Sequence, residues 1–161
     1  MKKLIDRITE IVEQGFADCG YERSLGKVTL SNRPDLCEYQ CNGAMAGAKL
    51  YKKAPIVIAN DVVGKLSGNE VFEEAGAVNP GFINMKLSGA FLAEYLEQMD
   101  GDERLGICPE GKPETIVIDY GGPNVAKPLH VGHLRSAIIG ESMKRLSRFL
   151  GHKVIGDVHL G

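Results

Sequence analysis

The chain has 161 residues, a net charge of −2, 43% apolar residues and only 6% aromatic residues, with no tryptophan. A charge this close to neutral excludes a broadly basic nucleic-acid coat. No run approaches the roughly eighteen uninterrupted apolar residues of a membrane span, and the lysine-bearing start lacks a signal-peptide stretch, so no membrane partner is expected and the expected location is the cytoplasm.

Leu4, Ile5, Ile8, Ile11, Val12 and Phe16 recur at steps of three and four and predict a first helix ending near Gly20. Val28–Leu30 and Leu36–Cys41 read as short strands around the turn Asn32-Arg33-Pro34-Asp35. Gly43–Tyr51 is compatible with a helix, and Pro55 suits the first position of another that reaches about Leu66. Glu74–Val78 and Phe82–Leu87 predict a hairpin around Asn79-Pro80-Gly81. Ser88 fits an N-cap for a helix whose Phe91, Leu92, Tyr95, Leu96 and Met99 form one apolar face. Asp100–Pro113, rich in glycine and proline, reads as a linker. Beyond it, Thr115–Asp119 has the apolar run of a buried parallel strand, 131–150 has helical spacing, and 153–157 reads as a second strand.

These elements predict two domains. Residues 1–112, with net charge −4, do not alternate strand and helix in a βαβ pattern and should form an α+β domain. Residues 113–161, with net charge +2, form one βαβ unit, the opening of a Rossmann-like nucleotide-binding sheet. Any RNA contact by the first domain must therefore be local. Cys19, Cys37, Cys41 and Cys108 contain no Cys-x-x-Cys pair and lie far from the histidines, so reduced thiols are expected and no metal site.

The most informative stretch is Asp119–His133, a strand end, a turn-rich loop and a helix start. Unpaired N–H groups and the positive dipole end favour an anion there, and His130 and His133, three apart, lie on one face and can donate hydrogen bonds to it. Gly132 between them has no Cβ, which permits a base or phosphate to approach the backbone. The spacing does not match the zinc-protease helix, which needs histidines at i and i+4 with a glutamate between them.

The His-Val-Gly-His pattern resembles the HIGH signature of class I aminoacyl-tRNA synthetases. The longer string from Pro123 to Gly140, with Phe149-Leu150-Gly151-His152-Lys153-Val154 and Gly156–Gly161 after it, resembles the arginyl-tRNA synthetase family in particular. That resemblance implies ATP-dependent activation of L-arginine to arginyl-adenylate and its transfer to tRNA(Arg), with magnesium accompanying ATP and no permanently bound cofactor. It assigns His130 and His133 to charge stabilisation, Lys127 and Gly132 with them to the ATP phosphates, and Asp119, Asn124 and His159 to the arginine. Where the family carries small polar residues this chain has Gly121-Gly122. Whether those glycines touch a ligand or only permit a turn stays open.

Ser31–Asp35, Ala59-Asn60-Asp61 and Asn79-Pro80-Gly81-Phe82-Ile83-Asn84 resemble the family's N-terminal additional domain, which leans on the tRNA elbow and meets an extruded D-loop base. The matching positions are Asn79, Phe82 and Asn84. Two readings of Phe82 stand side by side: it stacks a base, or it faces the core of its own domain. The family's lysine loop, the rest of its sheet and its anticodon-binding domain have no counterpart here. The chain therefore reads as an N-terminal piece, inactive alone and prone to self-association, of an enzyme whose oligomeric state is open, a monomer being compatible. A non-catalytic tRNA-binding or assembly module and a small nucleotidylyltransferase with the same histidine pair are the alternatives.

Overall fold

The first helix, α1 (Leu4–Asp18), buries Ile8, Val12 and Phe16, the positions its three-and-four spacing selects. It ends where Gly20 turns to positive φ, with Gly20 N–H donating to the Ala17 carbonyl and Tyr21 N–H to that of Phe16, the paired bonds of a Schellman stop. A computed structural model describes this and the rest of residues 1–109 and 111–161. Glu110, within the expected linker, lies outside the described residues.

Two compact units result, Met1–Gly106 and Ile107–Gly161. In the first, β1 (Val28–Leu30), β2 (Tyr39–Cys41), α2 (Gly43–Tyr51), α3 (Pro55–Leu66), β3 (Phe72–Val78), β4 (Phe82–Leu87) and α4 (Gly89–Asp100) follow α1. The strands form an antiparallel sheet in the order β1-β2-β4-β3. One face carries Val28, Cys41, Ile83, Met85 and Leu87 into a core with Ile8, Val12 and Phe16 of α1 and Ile58, Ala59 and Val62 of α3. Because strand side chains alternate, the other face carries Phe82, Asn84 and Lys86 of β4 away from that core.

Several expectations need correction. Leu36–Glu38 is not strand: Leu36 and Cys37 both donate N–H to the Arg33 carbonyl, so the proline turn winds on and β2 begins only at Tyr39. A 3-10 turn at Arg23–Gly26 lacks a periodic signal. β3 begins at Phe72, two residues early, because a register shift between Phe72 and Glu74 breaks the alternation that marks a strand. In α4, Ser88 Oγ does accept the Phe91 N–H, and Phe91 and Leu92 pack on the core, but Leu96 is 61% exposed. Residues 101–106, expected as linker, belong to the first unit, where the Asp102 carboxylate accepts from the N–H groups of Arg104 and Gly106.

The second unit pairs β5 (Thr115–Asp119) and β6 (Lys153–Asp157) in parallel, joined by α5 (Val131–Phe149). Ile116 and Ile118 are half-buried and Val154 is buried, while the alternate positions are exposed, Val117 by 65%. The strand expected to be buried is therefore covered on one side only. Among the described residues no helix is long and apolar enough to cross a membrane.

Candidate functional site

In the second unit the site forms at the C-terminal ends of the two parallel strands. Asp119 and Asp157 are register partners, so both carboxylates project from the same face at the sheet's end. Tyr120 N–H donates to the Asp157 carbonyl at 3.1 Å and extends the pairing by one residue. The two loops beyond then run together: Val125 N–H donates to the Gly161 carbonyl at 2.9 Å, and Gly161 N–H to that of Pro123 at 3.3 Å. Gly121 takes φ +73°, and a Cβ on Gly122 would collide with the His159 carbonyl, so the pair serves a turn and a close backbone crossing. Asn124 Oδ1 accepts the Ala126 N–H at 2.8 Å, and Lys127 N–H closes a turn on the Asn124 carbonyl at 3.2 Å. Asp119 at the end of β5 and Asn124 and His159 on the two adjoining loops thus sit at one end of the sheet.

The histidines are joined in a way their spacing alone does not reveal. His130 is the N-cap of α5, its Nδ1 accepting the Gly132 N–H at 3.1 Å, while His133 Nδ1 accepts the His130 N–H at 3.0 Å. The imidazoles tilt against each other with centroids 4.0 Å apart. This reciprocal pattern is a capping box built from two histidines. Each Nδ1 is an acceptor, so in the neutral ring the proton resides on Nε2, which leaves an N–H donor on each ring. Of the N–H groups that open the helix, the cap occupies that of Gly132, and His133 N–H bonds the His130 carbonyl. A Cβ on Gly132 would come within 2.9 Å of His130 Cε1, so the missing side chain makes room for the capping ring.

Sequence reasoning missed a third feature. Tyr120, next to Asp119, lays its ring where a Cβ on Gly140 would stand. Its hydroxyl donates to Glu141 Oε2 at 2.7 Å and accepts from Lys144 Nζ at 2.9 Å, and Lys144 and Arg145 both pair with Glu141. Lys144 first, then Tyr120 and Arg145, hold the Glu141 carboxyl down at about 2. The sequence reads these charges as a solvated helix face. The available signal is Gly140 itself, because a mid-helix glycine costs about 1 kcal/mol and needs a reason. Asp157 is likewise not singled out by its residue type; equal-length parallel strands are what set it beside Asp119.

In the first unit, Asn79 is exposed in the hairpin turn, while Phe82 and Asn84 are half-buried on the outer face of β4. Phe82 has Val78 as its register partner and lies on the face opposite the core that takes Ile83, Met85 and Leu87. Gln40 Nε2 donates to Asn84 Oδ1 at 2.9 Å. Beside this pair lies a hollow of about 240 Å³ lined by Leu36, Cys37, Glu74, Gly76, Asn84 and Lys86 among others. In the turn before β2 the Arg33 guanidinium forks onto Asp35 at 2.8 and 2.9 Å and keeps that carboxyl below its ordinary range.

The family model described as the arginyl-tRNA synthetase N-terminal domain matches residues 2–87, and that of the class I (R) tRNA synthetase catalytic domain matches 99–161. The chain belongs to the arginyl-tRNA synthetase family. Among the synthetases it resembles, the arginine–tRNA ligase of Agathobacter rectalis is 62% identical and that of Alkaliphilus oremlandii 60%, each over 100% of this chain. The chain spans 27% of the length of each of these relatives. The crystal structure of arginyl-tRNA synthetase from Plasmodium falciparum superposes with a TM-score of 0.62 at 27% identity, over 98% of this chain and 31% of that one.

Proposed function

We propose that this chain contributes the tRNA-elbow domain and the first part of the active site of an arginine–tRNA ligase. The domain boundary at 112/113 is part of the same reading, alongside compact units that meet at 106/107. The observation that carries it is the two-histidine cap of α5, reached in the chain by the loop that leaves β5 at Asp119 and carries Asn124. Family membership supplies the chemistry. The arginine carboxylate attacks the α-phosphate of ATP, pyrophosphate leaves with the bond it gives up, and the 3′-terminal ribose hydroxyl of tRNA(Arg) then takes the arginyl group and releases AMP.

No side chain acts as a nucleophile in this scheme. His130 and His133 offer Nε2–H donors to charge that grows on the phosphates, and Lys127 adds a cation on the same loop. Gly132 keeps the cap compact at the ATP phosphates. Asp119 suits forked hydrogen bonds to the arginine guanidinium. Asn124, with Oδ1 committed to its turn, offers Nδ2 to the substrate's carboxylate, and His159 borders the same pocket. Magnesium would arrive with ATP, on whose phosphates it would supply charge neutralisation. Asn79, Phe82 and Asn84 form the tRNA contact, with Phe82 stacking one unpaired base and the amides reading its edge. We assign the enzyme to the cytoplasm.

A chimera tests this. Residues 1–161 of this chain replace the matching residues of the Alkaliphilus oremlandii enzyme, and arginylation of tRNA(Arg) is measured. The chimera should attach arginine, and Asp119→Asn should raise KM for arginine at least tenfold with a smaller change in KM for ATP. An unchanged arginine KM would remove Asp119 from the pocket.

A further inference from the structure

We propose that Gln40 and Gly76, neither of which contacts a base in the reading above, determine which base the outer face of the sheet accepts. The proposal rests on that reading of the face as a tRNA contact and deepens it. Gln40, Asn84 and Gly76 form one cross-strand row, Gln40 and Gly76 being the register partners of Asn84 on β2 and β3. Such a row points to one side of the sheet, here the side away from the core. Gln40 Nε2 donates to Asn84 Oδ1, which commits the acceptor end of the Asn84 amide and leaves its Nδ2–H groups as the donors it can offer a base. A base lying there meets donors, so it must present an acceptor, a carbonyl or a bare ring nitrogen.

Gly76 supplies the room. No heavy atom lies within 4 Å of where its Cβ would stand, and together with Asn84 it lines the hollow of about 240 Å³. That space suits one planar base and is too small for a helix or a stretch of duplex. A glycine inside a strand weakens the strand, because it lacks a side chain to pack and loses more backbone freedom on folding. The open space beside Gly76 is the return on that cost. Lys86, next along the outer face from Asn84, stands at the rim with its cation available to a neighbouring phosphate. Gln40 is a positioning residue, acting through Asn84, and Gly76 sets specificity by size.

The two residues predict different signatures. Gly76→Val fills the hollow without touching the fold, since the new Cβ meets nothing and β-branched residues favour strands. Gln40→Glu offers only acceptors, so the Asn84 amide turns over to donate to it and presents Oδ1 outward, which favours a base bearing an exocyclic amino group. The experiment measures binding of the 161-residue protein to tRNA(Arg) transcripts carrying U or C at the unpaired D-loop position, with thermal unfolding recorded for each variant.

Gly76→Val should weaken binding about tenfold, as expected for a lost stack, at an unchanged or raised Tm. Gly76→Ala should fall between. Gln40→Glu should move the U-to-C affinity ratio toward C by roughly 2–10-fold. Phe82→Ala separates this inference from the reading beneath it. If Phe82→Ala weakens binding while Gly76→Val leaves affinity and Gln40→Glu leaves the ratio unchanged, the face binds RNA and the roles of Gln40 and Gly76 are overturned. If none of these variants changes binding, the tRNA reading of the face fails and the inference falls with it.

Discussion

Tyr120 ties the strand end that carries Asp119 to the middle of α5, and the tie is electrostatic as well as steric. Glu141 is its centre, accepting from Tyr120 and pairing with Lys144 and Arg145. A carboxyl held at about 2, against an ordinary value of 4.5, binds its proton less readily in the folded chain than in the unfolded one. Its contribution is therefore fully present above about pH 4.5 and is lost as pH falls toward 2. Comparing thermal unfolding of the wild type and Glu141→Gln from pH 7 to pH 2 should show a wild-type advantage that shrinks below pH 4.5 and vanishes near 2. A gap independent of pH would remove the ion cluster from the tie. None of this is legible from Glu141, Lys144 and Arg145 as a string, because spacing alone does not say that Tyr120 reaches over to them. Phe82 poses the same problem in another form: alternation gives the period of a strand but not the sign of its faces, and only the burial of Ile83, Met85 and Leu87 decides it.

Elements with a strong period were read well, and those set by close contact were not. Spacing locates α1, α4 and α5, Pro55 marks the start of α3, and the Ser88 cap and the Asn79-Pro80-Gly81 turn follow from local chemistry. Leu36–Glu38 misleads because its residues suit a strand while the N–H groups of Leu36 and Cys37 are committed to the Arg33 turn, and only that of Glu38 reaches the Met85 carbonyl of β4. In α5 the informative residue is Gly140. In a helix whose surface is free, Gly→Ala stabilises by about 1 kcal/mol. Here a new Cβ would collide with the Tyr120 ring, so Gly140→Ala should instead destabilise the unit by roughly 1–3 kcal/mol, the usual scale of overpacking. Calorimetric unfolding reads the sign: a raised Tm would mean that Tyr120 does not sit on the helix.

At the scale of the whole molecule the two units differ in how well they cover themselves. Unit Met1–Gly106 has a continuous core, whereas in Ile107–Gly161 large apolar side chains on β5, β6 and α5 stay open to solvent, Val117 by 65%, Ile155 by 47% and Ile138 by 55%. Exposed apolar area of this kind drives association. The 161-residue polypeptide should show concentration-dependent association by sedimentation, and Val117→Lys with Ile155→Lys should reduce it; a monomer at all concentrations would contradict this. The α+β character of the first unit and the βαβ order of the second were legible because both depend on element order, which the sequence carries directly. What is not legible is the joint use of His130, an observed cap through Nδ1 with a proposed donor role through Nε2.

That joint use is where the account is most exposed, and one substitution separates its halves. Serine is a good N-cap, so His130→Ser keeps the start of α5 while removing the Nε2–H donor. The decisive measurement is arginine-dependent pyrophosphate exchange, with tRNA(Arg) present, by the Alkaliphilus oremlandii chimera carrying residues 1–161 of this chain. In His130→Ser, kcat should fall roughly 10²-fold, the scale of one lost transition-state donor, with KM for arginine and the unfolding temperature little changed. An unchanged kcat in the folded variant would contradict the donor role and leave His130 as a helix cap alone.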